Sequence, residues 1–407
     1  MKKTMVVPSY WRRNKIEGWK PSDSVYDHPT PLDEEGTLGR LLESLSILED
    51  KEFELVVLGV ANALDIQDAV EERLSSILLE AKPDVRTVLF SYSHLRKIHA
   101  LLKKNNAENL IPLLQLDGYS NVRNLCLFLP HLLGSDAAVL IDDDEIFEDP
   151  SFLDKAGEFI GREVEGKAIL AVAGYYINPD DDFLLNKEIS PWETRWNKID
   201  CMNRAFNKII ATPPRLKETT FAFGGNLVIH RDLFTRIPFD PSVPRGEDID
   251  FLINARMFGY NFFLDNQLSI KHKAPSKTFS IWQQVREDII RFVFEKRKLE
   301  TQEPRDGMIH LNAENLDPYP GEFLKSDLHE RILHSNQMLA IDYLTQGDQE
   351  NARECLKNIQ LAYEYGDTMD NPFRNLCQYQ KDWQTLMSLF SQEKIVKEAV
   401  RSLWMDG

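Results

Sequence analysis

The sequence predicts an α/β domain on a largely parallel sheet flanked by helices, followed by an all-helical module. Three observations carry that expectation. Short apolar runs alternate with amphipathic segments over the first two-thirds of the 407 residues, the pattern of strands joined through helices. Beyond about Pro275 strand-like runs become rare, and helical patterns take over at Thr278 to Lys298, Leu328 to Leu344 and Asn351 to the end. The length also exceeds what one hydrophobic core usually organises. The expected units are therefore residues 1–275 and 276–407.

Each element follows from its local pattern. Thr4 to Val7 reads as the first strand, stopped by Pro8. Leu38, Leu41, Leu42 and Leu45 recur at helical spacing, and Phe53 to Val60 reads as the second strand. Ile66, Val70, Leu74, Ile77 and Leu78 mark one face of the next helix. Val85 to Phe90 has the β-branched and aromatic content of a third strand. Asn121 to Leu133 is expected to be helical, Ala137 to Ile141 a buried strand, and Pro150 to Ile160 a further helix. In the last third, Asp317-Pro318-Tyr319-Pro320-Gly321 breaks the helical patterns. One helical-hairpin pattern near Asn351 to Tyr365 is too little to establish a repeat array.

Composition narrows the function classes. Hydrophobic residues make up 43% and charged residues 28%, and 48 Lys and Arg against 65 Asp and Glu leave a formal charge of −17. That field repels polyanions, so nucleic acid is not an expected partner, whereas carboxylate clusters attract divalent cations. The four cysteines are widely spaced and read as reduced core thiols. The amino terminus has no signal-peptide pattern, and no stretch approaches the roughly 18 apolar residues of a membrane span. A cytoplasmic protein without an integral membrane segment is expected.

The strand Ala137 to Ile141 runs directly into Asp142-Asp143-Asp144-Glu145. Ligands of open α/β sheets collect beyond the carboxyl ends of strands. Adjacent carboxylates there raise one another's pKa unless a cation sits among them. Oxygen ligands favour Mg²⁺ or Mn²⁺, which keep open positions for substrate phosphates. The alternative is a solvated acidic turn leading into the following helix.

Further along stand Gly224-Gly225-Asn226, Arg245-Gly246-Glu247-Asp248, Gly259-Tyr260 and Lys271-His272. With Pro8-Ser9-Tyr10, Ser120-Asn121-Val122-Arg123-Asn124 and the acidic triplet, this ordered set resembles the nucleotide-diphospho-sugar transferases of the GT-A fold, especially glycosyltransferase family 2, over roughly residues 1 to 275. The resemblance implies metal-dependent transfer of a sugar from a UDP- or GDP-sugar to a hydroxyl of a small-molecule or saccharide acceptor. It implies Mn²⁺ or Mg²⁺ held by Asp142, Asp144 and His272. Asp143 with Glu145 is the alternative frame, and a surface imidazole the alternative for His272. It implies Asp248, with Glu247, as the catalytic pair, Asp248 serving as base if configuration is inverted and positioning the acceptor if it is retained. Pro8, Tyr10, Asp117, Arg123, Asp142 and Asp143 are candidates for the donor pocket, and Gly224, Gly225 and Asn226 for the acceptor side. Tyr10 and Trp11 could equally be core aromatics, the two glycines could mark a bulge, and Glu247 and Asp248 also suit a helix N-terminus.

Two departures from the family limit the assignment. Gln283-Gln284-Val285-Arg286-Glu287 has Glu where processive synthases carry Trp, which argues against long-polymer synthesis. Val57 to Asn62 lacks the acidic residue expected after the second strand, so the base is not assigned. A sugar-nucleotide-forming nucleotidyltransferase would carry a Gly-rich loop after the first strand, and none is present. A noncatalytic sugar-binding domain would not need acidic groups at both places. The helical module is a candidate surface for homo-oligomerisation.

Overall fold

The computed structural model describes residues 1–20, 22–186, 188–275 and 280–404. Eight strands build one sheet: β1 (Lys3–Arg12), β2 (Phe53–Ala61), β3 (Arg86–Phe90), β4 (Ala137–Ile141), β5 (Ala171–Ile177), β6 (Leu216–Glu218), β7 (Asn226–His230) and β8 (Phe263–His272). Their order is β6-β8-β5-β7-β4-β1-β2-β3, and two-residue strands at Thr30–Pro31 and Glu145–Ile146 add to β1 and β8. Pairings β1 with β2 and β4, β2 with β3, and β5 with β8 are parallel. Those of β7 with β4 and β5, and of β6 with β8, are antiparallel. The carboxyl ends of β1, β4, β5 and β8 and the amino end of β7 therefore share one edge, which positions the site.

The first strand does not stop at Pro8. It continues to Arg12, with Trp11 in register with Ala61 of β2. Pro8 falls just past Val6, the last β1 residue paired with β4. Proline is tolerated where one side of a strand no longer needs a donor. The strand Ala137 to Ile141 has the expected bounds. The helix expected over Pro150 to Ile160 spans only Phe152–Glu158.

The helices that matter here are α1 (Leu38–Ser44), α2 (Gln67–Ala81), α3 (Tyr92–Lys104), α4 (Tyr119–Leu132), α5 (Phe152–Glu158), α6 (Lys198–Ile209), α7 (Glu247–Met257), α8 (Ile281–Glu300), α9 (Leu328–Thr345), α10 (Gln349–Thr368), α11 (Pro372–Leu389) and α12 (Glu393–Trp404). The expected start of α8 at Thr278 lies outside the described residues. Two apolar cores cover the two faces of the sheet. One joins Leu41, Leu74 and Phe152 to Val57 and Val139, and the other joins Leu102, Leu125 and Phe128 to Val56 and Leu140.

The second core also takes in Ile289 and Phe292 of α8 and Trp383 of α11, so the C-terminal helices pack directly on the α/β part. Trp383 Nε1 donates to the Phe234 carbonyl at 2.7 Å. Lys298 of α8 is fully buried, with Nζ 2.9 Å from Asp240 and 2.5 Å from Asp250 of α7. A buried ammonium is tolerable because it faces two carboxylates. The four cysteines are buried and free. Among the described residues, no helix is long and apolar enough to cross a membrane.

Candidate active site

A pocket of about 460 Å³ opens at the shared sheet edge, lined by Pro8, Tyr10, Arg123, the three aspartates 142–144, Gly224, Glu247, Asp248 and His272 among others. The sheet brings these parts together. β4 delivers the acidic turn, whose Glu145–Ile146 strand pairs with the end of β8 and sets Glu145 opposite His272. Lys273 N–H closes the turn on the Asp144 carbonyl at 2.9 Å. His272 Nε2 consequently lies 3.3 Å from Asp144 Oδ2. His272 is the last residue of β8.

Arg123 joins the two acidic groups. Its Nη2 is 2.8 Å from Asp142 Oδ1 and its Nε donates to Glu247 Oε1 at 3.2 Å, with the guanidinium side chain only 5% exposed. It projects from the second turn of α4, and the first turns of that helix are stapled to the segment leading into α7. Ser120 Oγ donates to the Val243 carbonyl at 2.8 Å, and the Asn124 amide exchanges two hydrogen bonds with the Phe239 backbone. Asp248 is the second residue of α7, whose N-cap Gly246 has a φ of +73° that suits glycine. Its Oδ2 accepts from Gly224 N–H at 3.1 Å and its Oδ1 from Ile249 N–H at 2.8 Å. Glu247 and Asp248 thus occupy a helix N-terminus and line the pocket together.

The carboxylates differ in protonation. Burial raises Asp143 to about 8, helped by the neighbouring Asp144 charge, although Ser9 Oγ donates to it at 2.6 Å. Burial also raises Asp142, against the pull of Arg123. For Asp144 burial is outweighed by the hydrogen bond and charge of His272, which hold it below the ordinary range. Burial lifts Glu247 to about 7, with Arg123 opposing and Asp248 adding to the rise, and Asp248 is raised by burial as well.

The donor set of Asp142, Asp144 and His272 has the hard oxygen and imidazole chemistry that suits Mn²⁺ or Mg²⁺. Asp144 and His272 already face each other, whereas Asp142 is turned to Arg123. Among the described residues no three His, Cys, Asp or Glu side chains gather as a metal cluster. The residues fit a two-point seat of the kind completed by substrate phosphates and water.

The remaining candidates divide. Gly224 lines the pocket, and a Cβ there would meet Arg123 Nη2 at 2.7 Å. At Gly225 a Cβ would lie 2.6 Å from Asp142 Cγ and closer still to Glu145, so this glycine makes room for the site's own carboxylates. Asn226 is fully buried in the sheet, its amide donating to the Tyr175 and Leu268 carbonyls at 3.2 and 3.0 Å. It lines no part of the pocket. Asp117 is exposed outside the pocket, accepting from Ser24 Oγ at 2.5 Å. Tyr10 lines the pocket and packs with Tyr26 and Tyr119, its ring centroid 4.6 and 5.4 Å from theirs.

Several lining residues escaped the sequence reading. Tyr176, at the carboxyl end of β5, stacks on His272 with centroids 4.7 Å apart and its hydroxyl accepts from Gly225 N–H at 2.8 Å. The apolar run Ala171 to Ala173 before it was the available signal. Lys198 of α6 and Asp288 and Arg291 of α8 also line the pocket, beside Arg245, which the sequence motif contains without a role. Arg245 lies 2.7 Å from Asp27 and also pairs with Glu287. Arg286 faces away, tied to Glu354 at 2.8 Å.

Fold and site define the class: an α/β protein with a mixed sheet, whose carboxyl-edge pocket gathers two acidic groups around one buried arginine. No protein-family model and no curated protein matches the chain. Among solved structures it is similar to a mannosyltransferase from Pyrobaculum calidifontis in complex with GDP-Man and Mn²⁺, at 13% identity and a TM-score of 0.43 over all of this chain and 88% of that one. It is also similar to a mycobacterial protein, at 16% identity, a TM-score of 0.37 and 72% of each chain. A third is mouse xyloside xylosyltransferase 1 in its apo form, at 11% identity, a TM-score of 0.30, and 66% of this chain and 79% of that one.

Proposed function

We propose that this chain is a GT-A glycosyltransferase that moves a sugar from a UDP- or GDP-sugar to a hydroxyl of a small-molecule or saccharide acceptor. One observation carries the reading. Arg123 binds Asp142 and Glu247, residues more than a hundred positions apart, into a single buried arrangement within one pocket. Asp144 and His272, with Asp142 beside them, would hold Mn²⁺ or Mg²⁺. When bound, such an ion supplies positive charge against the diphosphate leaving group.

The chain's own residues supply the rest. Tyr10 and Pro8 line the donor end. Two backbone N–H groups fix the Asp248 carboxylate, and burial makes it a stronger base than a free aspartate. In an inverting reaction it takes the proton of the acceptor hydroxyl, and in a retaining one it orients the acceptor. The pocket walls align the acceptor and exclude water, which would otherwise hydrolyse the donor. We place the reaction in the cytoplasm, in keeping with four free buried cysteines.

The test is a screen of UDP- and GDP-sugars with Mn²⁺, following release of the nucleoside diphosphate. Turnover of at least one donor is expected, with Asp248→Asn retaining nucleotide binding but losing transfer. No turnover of any donor would sink the proposal.

A further inference from the structure

Beyond Gly224 the pocket changes character. α6 presents Ile199 and Met202 to it, and the segment after β5 brings Phe183 and Leu185. Phe223 stands one residue from the Gly224 N–H that holds Asp248. These five side chains are half-buried, while Phe206 and Phe221, which also line the pocket, are buried. The result is an apolar wall on a packed floor, open to a cavity that is otherwise polar.

An aromatic run connects this wall to the acidic turn. Ring centroids are 4.7 Å apart for His272 and Tyr176, 4.7 Å for Tyr176 and Phe223, 5.3 Å for Phe223 and Phe206, and 5.0 Å for Phe206 and Phe221. Nearby cations are already countered. Lys198 pairs with Asp288, Arg245 with Asp27 and Glu287, and Arg291 donates to the Tyr319 hydroxyl at 2.6 Å. A charged ligand would have to displace one of these partners. An apolar one needs only to cover exposed carbon.

We infer that this wall is an acceptor subsite for an uncharged apolar group, aryl or alkyl, carried by an acceptor whose hydroxyl lies at Asp248. The inference rests on the proposed role of Asp248. The driving force is removal of apolar surface from water, roughly fourfold in affinity for each methylene covered. The wall begins beside the acceptor-side carboxylate, so the apolar group would be attached close to the reacting hydroxyl.

The experiment titrates the full chain, with Mn²⁺ and UDP or GDP present, with methyl, octyl and phenyl β-D-glucoside below any micelle concentration, by ligand-observed NMR. The octyl or the phenyl compound should bind roughly fifteenfold more tightly than the methyl one, the equivalent of two buried methylenes, and the better of the two identifies alkyl or aryl preference. Met202→Gln and Ile199→Asn, each checked for an intact melting transition, should reduce that preference. Equal affinity for all three, no binding of any, or a preference that survives both substitutions overturns the inference. Nucleotide binding by the unaltered chain is read alongside. If it is present while the glucoside preference is absent, the subsite falls without counting against the transferase reading, which donor turnover decides.

Discussion

Replacing Arg123 by Met removes the cation from the buried Glu247 carboxylate and the half-buried Asp142 carboxylate while keeping most of the side-chain volume. Breaking a buried pair from one side typically costs about 3–5 kcal/mol, because an uncompensated charge stays behind. With an unfolding entropy near 2.1 cal/mol/K per residue, that corresponds to a melting temperature lower by about 4–6 °C for a chain of this length. Burial already raises Glu247 to about 7 with Arg123 present. A raised carboxylate favours folding less as pH climbs above its unfolded value near 4.3. Losing Arg123 raises it further, so the deficit should be largest above about pH 7 and should shrink toward about pH 5, where Glu247 is protonated in the folded chain. Arg123→Lys should recover only part, since one ammonium cannot span both partners as a fork does. Thermal melts at several pH values decide the matter. A loss below about 1 kcal/mol, or one independent of pH, would refute the bridge.

Other consequences can be checked separately. Gly225→Ala puts a Cβ 2.6 Å from Asp142 Cγ, so overpacking should cost about 1–3 kcal/mol in a denaturation assay and weaken nucleotide binding. Lys298→Met leaves Asp240 and Asp250 buried without a cation, and should destabilise by about 3–5 kcal/mol in denaturant titration. If transfer uses the Glu247 and Asp248 pair in its ionised form, kcat/KM should fall as pH drops through about 7, the value to which burial lifts Glu247. The apparent value belongs to the pair.

The sheet was largely legible because buried strands leave continuous apolar runs. Ala137 to Ile141 is bounded by a turn before and charge after, so even its limits could be read. Pro8 was misread as a stop because its tolerance depends on where β4 ends, which no local pattern records. The acidic turn and the Glu247-Asp248 helix start were visible as motifs, but the bridge between them was not. Arg123 was marked by its place at a helix head, and its partners are fixed only when α4 is stapled to Phe239 and Val243. Asn226 and Asp117 illustrate the converse. Polar residues near a motif can serve the sheet or the surface, and only the fold separates those uses. The share of the pocket supplied by Asp288 and Arg291 was hidden because helix α8 reads as an ordinary amphipathic segment. Its contact with the site depends on docking through Lys298 and the common core.

The central claim is that the acidic turn and β8 hold a divalent cation against a nucleoside diphosphate. Calorimetry of UDP and GDP binding, with Mn²⁺ and with EDTA, tests it most directly on the unaltered chain and on Asp144→Ala. One nucleotide should bind the unaltered chain more tightly with Mn²⁺, and Asp144→Ala should abolish that gain. Equal affinity with and without the ion, or an undiminished gain in Asp144→Ala, would contradict the claim.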